Sequence, residues 1–439
     1  MKKFAFVFCL MPLFALQAVE ISAVTARQRW PWNNLVDIDF TVDAPAGEIY
    51  RAVIDAKSAS GGKVFSASTF VSDPAVKSGA NRIVWDFGAD YPNVRVEDLK
   101  VTVSLAPYSE ALPLYLRIDL SGGPDAAKYP VTYTFTGPAH VQGASGEPCQ
   151  TTELWLRRIR HYEGAMPFHR FSYTDSSADN FFGELTKDYY IGVFELTQRQ
   201  YELVTGDNPS FFSNKTCYAS RPVERINGKC LFGSNINIHT RPGSISKDSF
   251  FGKIRARTEL PLAVPSSMQF EYALRGGYYT GEYYRYKLMG EDGNLYIPSS
   301  LNIGRWKDNS EGSPDGDSDT SGGTAAVGSY LANMFGLYDT MGNVYEITCE
   351  HVANWDYRGM SYDLEALREA AGDATLGKTK GNPVVDYFGK DDINSCWCTM
   401  GGSYAKSSQL TIWNEGWYME QLLEPGPSVV GVRVSMNVE

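Results

Sequence analysis

Two carboxylates and an asparagine crowd into one glycine-bearing stretch, "GLYDTMGNVYE" at residues 336–346. Asp339, Asn343 and Glu346 sit among apolar residues there. Such a segment suits a hard cation. Calcium takes about six to eight oxygens and accepts carboxylates, amides and backbone carbonyls alike. A glycine lets carbonyls turn inward with no Cβ in the way. The competing reading is a tight turn in which Asp339 and Asn343 bond only their own backbone. An acidic segment follows the same logic at 308–323, "DNSEGSPDGDSDTSGG". Acidic loops of this composition also occur with no cation, because most carboxylates are simply solvated.

Other catalytic constellations are missing from the sequence. No G-x-S-x-G, phosphate-binding loop or H-E-x-x-H occurs. Ser403 has no histidine close in sequence, and Glu346 and Glu350 form an acid pair only if a sugar cleft surrounds them. The five histidines are His140, His161, His169, His239 and His351. His161 and His169 lie in one irregular stretch and read as surface residues. Seven cysteines are present, with Cys9 in the N-terminal apolar run. The other six, Cys149, Cys217, Cys230, Cys349, Cys396 and Cys398, are an even set suited to disulfides in an oxidising compartment. Cys217 and Cys230 would close a short loop. Cys396 and Cys398 would take separate partners, with Cys149 and Cys349 as candidates. No CxxC pair supports zinc.

These residues need a frame, and the chain divides accordingly. Its 439 residues fit two domains. Residues 1–18, rich in apolar side chains behind two lysines, read as a signal peptide cut near Ala18. The run is too short to span a bilayer. The expected location is therefore secreted or periplasmic. A net charge of −11 with no long Lys/Arg run argues against a nucleic-acid surface. Residues 19–108 alternate as short strands. In "LVDIDFTV", Val36, Ile38, Phe40 and Val42 face one way and Asp37, Asp39 and Thr41 the other, which predicts an antiparallel β-sandwich. The aromatic pair in "RQRWPWN" (27–33) reads as a buried anchor. Residues 109–150 read as a connecting β-ribbon around a Gly-Gly-Pro turn. From 151 to 439 periodicity is brief, and an α+β unit with little regular structure is expected. Two short helices announce themselves by capping boxes: Thr197 with Gln200, stopped by Gly206, and Ser266 with Gln269, stopped by Gly276 and Gly277. A third is predicted over 364–372.

Within 151–439 an ordered set of segments carries a resemblance: "YYIGVFELTQRQYELVTGDNPS", "RPVERIN", "LPLAVPSSMQFEYALRGG", "FGLYDTMGNVYEI", "GGSY" and "GVRV". Together they resemble the formylglycine-generating enzyme, or sulfatase-modifying factor, family. The resemblance implies a variant of the C-type lectin fold, braced by two calcium ions. It places one ion on the side chains of Asp339 and Glu346 with the carbonyls of Gly342 and Val344. It places the other on the Asn302 side chain, the Ile303 carbonyl, the Asp319 side chain and the Ser321 carbonyl.

The family's enzyme oxidises a sulfatase cysteine to formylglycine with copper held by two cysteines after a Gly-Gly-Ser segment. Here that segment is "MGGSYAKSSQLTIWNEG", and the matching positions are Lys406 and Thr411. An ammonium offers no lone pair and a hydroxyl is a hard, weak ligand for Cu(I). Cys396 and Cys398 lie upstream, on the wrong side of the turn. The iron-dependent branch of the superfamily draws on a histidine-rich helical domain that this chain lacks. The sequence therefore implies no catalytic residue and no copper, but a calcium-braced pseudoenzyme. It would be a binding or scaffold module for a peptide, protein or glycan. The expected contact groove spans 401–418, with Ser403, Tyr404, Lys406, Thr411, Trp417 and Tyr418. The alternative is a working formylglycine-generating-type oxidase with relocated metal ligands.

Overall fold

The structure, a computed structural model, describes residues 19–29, 33–45, 48–58, 64–72, 74–92, 94–96, 98–107, 115–161, 164–169, 180–233, 245–276, 288–289, 295–296, 298–309, 323–352, 371–386, 396–405 and 428–438. The signal segment, Trp30, Trp32 and most of the helix expected at 364–372 fall outside them. Two compact units divide the chain, Met1–Leu112 and Pro113–Glu439. No helix among the described residues is long and apolar enough to cross a membrane.

Among the described residues, the regular structure of the first unit is antiparallel strand apart from one helical turn. Its strands are β1 (Glu20–Gln28), β2 (Leu35–Asp43), β3 (Tyr50–Ser58), β4 (Val64–Ser66), β5 (Thr69–Phe70), β6 (Ala75–Val76), β7 (Gly79–Asp86) and β8 (Leu99–Pro107), with α1 at Phe87–Asp90. One sheet runs β1-β2-β7-β5. The other centres on β3, which pairs with β8 along its whole length and with β4 and β6. Val36, Ile38, Phe40 and Val42 are buried, as the alternation predicts. Ala52, Ile54 and Ala56 do the same on β3. Phe65 of the second sheet stacks edge-on against Phe87, which also meets Trp85 of the first, so rings fill the space between the sheets. Asp37 breaks the pattern. It belongs to the polar face yet is buried. Arg27 and Arg29 reach it at 2.8 and 2.6 Å, and the guanidiniums hold its carboxyl down to about 2.

The second unit is mixed. Its strands are β9 (Tyr115–Asp119), β10 (Val131–Thr134), β11 (Glu153–Ile159), β12 (Met166–His169), β13 (Asn180–Glu184), β14 (Tyr189–Gly192), β15 (Leu288–Met289), β16 (Leu295–Tyr296), β17 (Tyr345–Val352), β18 (Val384–Val385), β19 (Cys396–Met400), β20 (Val430–Gly431) and β21 (Ser435–Asn437). Helices α2 (Pro148–Thr151), α3 (Gln198–Thr205), α4 (Gly228–Phe232), α5 (Phe250–Thr258) and α6 (Ser267–Leu274) are short. An antiparallel sheet runs β10-β9-β11-β14-β21. The stretch read as a connecting ribbon thus supplies two strands to this sheet. Within it β9 lies between β10 and β11 and pairs with both. A second, small sheet orders β19-β17-β20, with β17 and β20 parallel.

Both predicted capping boxes are present. Thr197 accepts from the Gln200 amide and Ser266 from that of Gln269. Gly206, at φ 86°, ends α3 in the left-handed region where glycine has no Cβ penalty. Helix α6 packs Phe270, Ala273 and Leu274 into the main core with Trp306, Leu337 and Met341. Cys149 and Cys217 are free thiols, so the expected Cys217–Cys230 bridge is not formed. Cys217 instead lies 3.1 Å from the Ser145 hydroxyl, in a left-handed turn at φ 56°.

Candidate functional site

The turn after Tyr338 is built by backbone geometry that few residues tolerate. Asp339 and Asn343 both take the left-handed conformation, at φ 53° and 56°, and Gly342 lies at φ 84°. Aspartate and asparagine are among the side chains that bear this best, because each can bond locally. At Gly342 a Cβ would come 2.7 Å from the Arg305 carbonyl oxygen, so only glycine fits. Backbone bonds from Gly342 N to Gly401 O (2.7 Å), Asn343 N to Arg305 O (2.9 Å) and Tyr404 N to Asn343 O (2.9 Å) lock the turn from three sides.

Behind the turn lies a buried polar cluster of four charged groups. Glu346, on β17, receives two bonds from Arg433, Nε to Oε2 at 2.8 Å and Nη2 to Oε1 at 2.7 Å. Arg433, between β20 and β21, spends its other donors on the carbonyls of Gly192, Val193 and Tyr338. Glu195 follows β14. It accepts from Asn343 Nδ2 at 2.6 Å and from the Val344 amide at 3.1 Å. Asn343 turns its own Oδ1 to the Ala325 amide. Asp339 Oδ2 accepts from the Gly328 amide at 2.6 Å, whereas Asp339 Oδ1 is buried and has no hydrogen-bond partner. None of the four charged side chains exceeds 1% exposure.

Three carboxylates therefore face one guanidinium inside the protein, 1 − 3 = −2 if all are ionised. Burial dominates their protonation. It pushes the Asp339 carboxyl up to about 6 and drives Glu195 well above the usual carboxylate range, where Asp339 and Glu346 push it further. Glu346 is raised by burial as well, with Arg433 pulling against that. A cluster of this kind holds either protons or a cation. Oxygen donors of the kind calcium takes are present at the orphaned Asp339 Oδ1 and in the backbone of the turn, while both Glu346 oxygens are already bonded to Arg433. The resemblance would put the ion on Asp339, Gly342, Val344 and Glu346, where it would supply charge neutralisation.

The other expected residues fare differently. Ile303 is buried and Asn302 is exposed, while Asp319 and Ser321 lie outside the described residues. Ser403 is wholly buried, and its hydroxyl has no hydrogen-bond partner among the described residues. Tyr404, expected to offer a flat face to a ligand, is 8% exposed. Its ring packs edge-on against Phe212 and its hydroxyl lies 3.2 Å from that of Ser428, so it serves the frame. Lys406, Thr411, Trp417 and Tyr418 lie outside the described residues. His161 Nδ1 lies 2.8 Å from Asp188 Oδ1, whose other oxygen takes Arg158. Glu195 and Arg433 were not singled out from the sequence. The signal was a lone charge within an apolar run, "YYIGVFEL" and "VVGVRV".

Residues 183–438 match the sulfatase-modifying factor enzyme 1-like domain. The chain belongs to that family. The matched residues include the turn and all four charged members of the buried cluster. No curated protein matches the chain. Solved structures similar to this sulfatase-modifying-factor-like chain include Treponema denticola variable protein 1, at 19% identity and a TM-score of 0.39, covering 69% of this chain and 100% of that one. PvdO from Pseudomonas aeruginosa is 16% identical with a TM-score of 0.37, over 68% of this chain and 100% of its own. CarF is 14% identical with a TM-score of 0.33, over 64% and 97%.

Proposed function

We propose that this sulfatase-modifying-factor-like protein is exported and acts as a non-catalytic, calcium-braced binding or scaffold module for a peptide or glycan. One observation carries the calcium part: three buried carboxylates lie near a single buried arginine that pairs only with Glu346, and one oxygen of Asp339 has no partner among the described residues. A divalent cation balances that charge where protons otherwise must. The non-catalytic part rests on residue type. Lys406 and Thr411 stand where the resemblance puts two copper-binding cysteines, and neither suits Cu(I).

With Tyr404 committed to the frame, the contact surface is carried by the rest of 401–418, where Lys406, Thr411, Trp417 and Tyr418 supply charge and flat rings. The test is elemental analysis of the purified full chain after dialysis without chelator, together with an activity assay. Calcium at one equivalent or more, no copper, and no turnover of a Cys-x-Pro-x-Arg peptide with copper and oxygen supplied are expected. Stoichiometric copper with turnover would replace this reading by that of a working oxidase. Loss of glycan or peptide capture on Trp417→Ala, with the melting temperature kept, locates the surface. Unchanged capture moves it elsewhere.

A further inference from the structure

A second polar cluster, His140, Glu147 and Cys149, lies at the start of α2, and these three residues are outside those matched to the family domain. His140 meets the stacked rings of Phe194, at 5.0 Å, and Tyr338, at 4.9 Å, edge-on. Its Nε2 lies 3.0 Å from the Gly328 carbonyl oxygen. A carbonyl oxygen only accepts, so Nε2 carries the ring proton. In the neutral ring, Nδ1 then presents a lone pair. Yet Nδ1 faces the carboxylate oxygen Glu147 Oε2 at 2.5 Å. A lone pair and a carboxylate at that distance repel, so a positive centre belongs between them.

A proton would serve, but a third ligand type is aimed at the same spot. Cys149 Sγ lies 3.8 Å from Glu147 Oε2, and the three ligand atoms all fall within 4.8 Å of one another. The surroundings match those of a metal-ligating histidine, whose other ring nitrogen donates to a backbone carbonyl and so fixes the tautomer. The carboxylate is oriented too, because its other oxygen takes the Val141 amide at 3.2 Å.

We propose that His140 Nδ1, Glu147 Oε2 and Cys149 Sγ form a transition-metal site suited to Zn²⁺. One nitrogen, one oxygen and one sulfur donor are the mixture that zinc accepts. With zinc–ligand bonds of about 2.0–2.3 Å, tetrahedral edges are about 3.3–3.6 Å. The Cys149–Glu147 separation is close to this already, and the His140–Glu147 contact must open by about 1 Å. The Ala139 carbonyl, 3.8 Å from Cys149 Sγ, borders the fourth position. Without a metal, burial and the neighbouring Glu147 and Glu153 push the thiol up to about 12. Metal uptake therefore releases the thiol proton. The site goes beyond the calcium brace: it uses other residues and a soft donor that calcium does not favour.

The experiment is a titration of the chelator-stripped full chain with Co²⁺ and then Zn²⁺. One equivalent of cobalt should give a thiolate-to-cobalt charge-transfer band, and zinc should abolish it. Cys149→Ser should lose the band and Cys217→Ser should keep it. His140→Gln should weaken zinc binding by at least about tenfold. X-ray absorption on the zinc-loaded parent reads the ligands without any variant. One sulfur among nitrogen and oxygen donors is expected. Several sulfurs or none, uptake below one equivalent, or a band that survives Cys149→Ser overturns the site and leaves an imidazolium–carboxylate pair.

Discussion

Asp339→Asn separates the two ways of neutralising the buried cluster. The amide keeps the shape and keeps an oxygen for the Gly328 amide, but it binds no proton and offers a cation less charge. In a chelator, the folded parent holds the Asp339 proton up to about 6, whereas the ordinary value is 3.8. The folded state is thus the better proton acceptor between those values. This contribution to stability is fully present below pH 3.8, declines as pH rises, and is lost once pH passes about 6. The interval, 6 − 3.8 = 2.2 pH units, corresponds to about 3 kcal/mol. The chelator-treated parent should lose about that much more than Asp339→Asn between about pH 4 and pH 7.5. Asp339 also pushes the Glu195 carboxyl up, so the difference between the two curves reports position 339 together with its coupling to Glu195. Calcium should reverse the order at about pH 7.5, stabilising the parent strongly and the variant weakly. Urea unfolding at several pH values, with calcium and with chelator, measures all four curves. Parallel pH dependence of parent and variant in chelator, together with equal calcium responses, would refute the charge argument.

Arg433→Met should cost about 3–5 kcal/mol in urea unfolding, because Glu346 is left buried without a partner. Adding Glu346→Gln should recover part of that loss, and no recovery would mean that the lost carbonyl bonds dominate. Gly328→Ala should lower the melting temperature, since its Cβ would approach His140 Nε2 to 2.4 Å and Phe194 Cε1 to 2.8 Å from a backbone at φ 78°. Retention of the parental melting curve would show that the ring of His140 moves aside freely. Maleimide labelling of the native, metal-free chain should modify Cys217 and spare Cys149, which is buried and whose thiol is pushed up to about 12. Equal labelling of both would show that the loop opens.

The parts of this fold that show in the sequence are the local ones. A capping box is a four-residue signal, and both boxes start helices where Thr197 and Ser266 stand. Strand alternation located the inward face of β2, because burial follows a period of two. Helix α5 escaped notice, although Ser249 caps it and Phe250, Phe251 and Ile254 form its buried side. Its three basic residues dilute the apolar pattern, and two of them, Arg255 and Arg257, sit in its last turn where a helix favours them. At the candidate site the turn was legible, because Asp339, Gly342 and Glu346 are close in sequence. Glu195 was not, since its bond to Asn343 spans 148 positions and nothing local marks it. The same distance hides His140: its carbonyl partner, Gly328, is 188 residues away.

Arg433 has a further consequence for the order in which the chain is made. It reaches back 87 positions to Glu346 and 241 to the Gly192 carbonyl. Glu195, Asp339 and Glu346 leave the ribosome well before it. Until it emerges, their charges have no buried counterpart and β14 lacks the edge strand β21. Closing contacts this distant in sequence delays folding. A chain ending at residue 432 should therefore leave Glu346 without its guanidinium and β14 without β21, and limited proteolysis should cleave it faster than the parent.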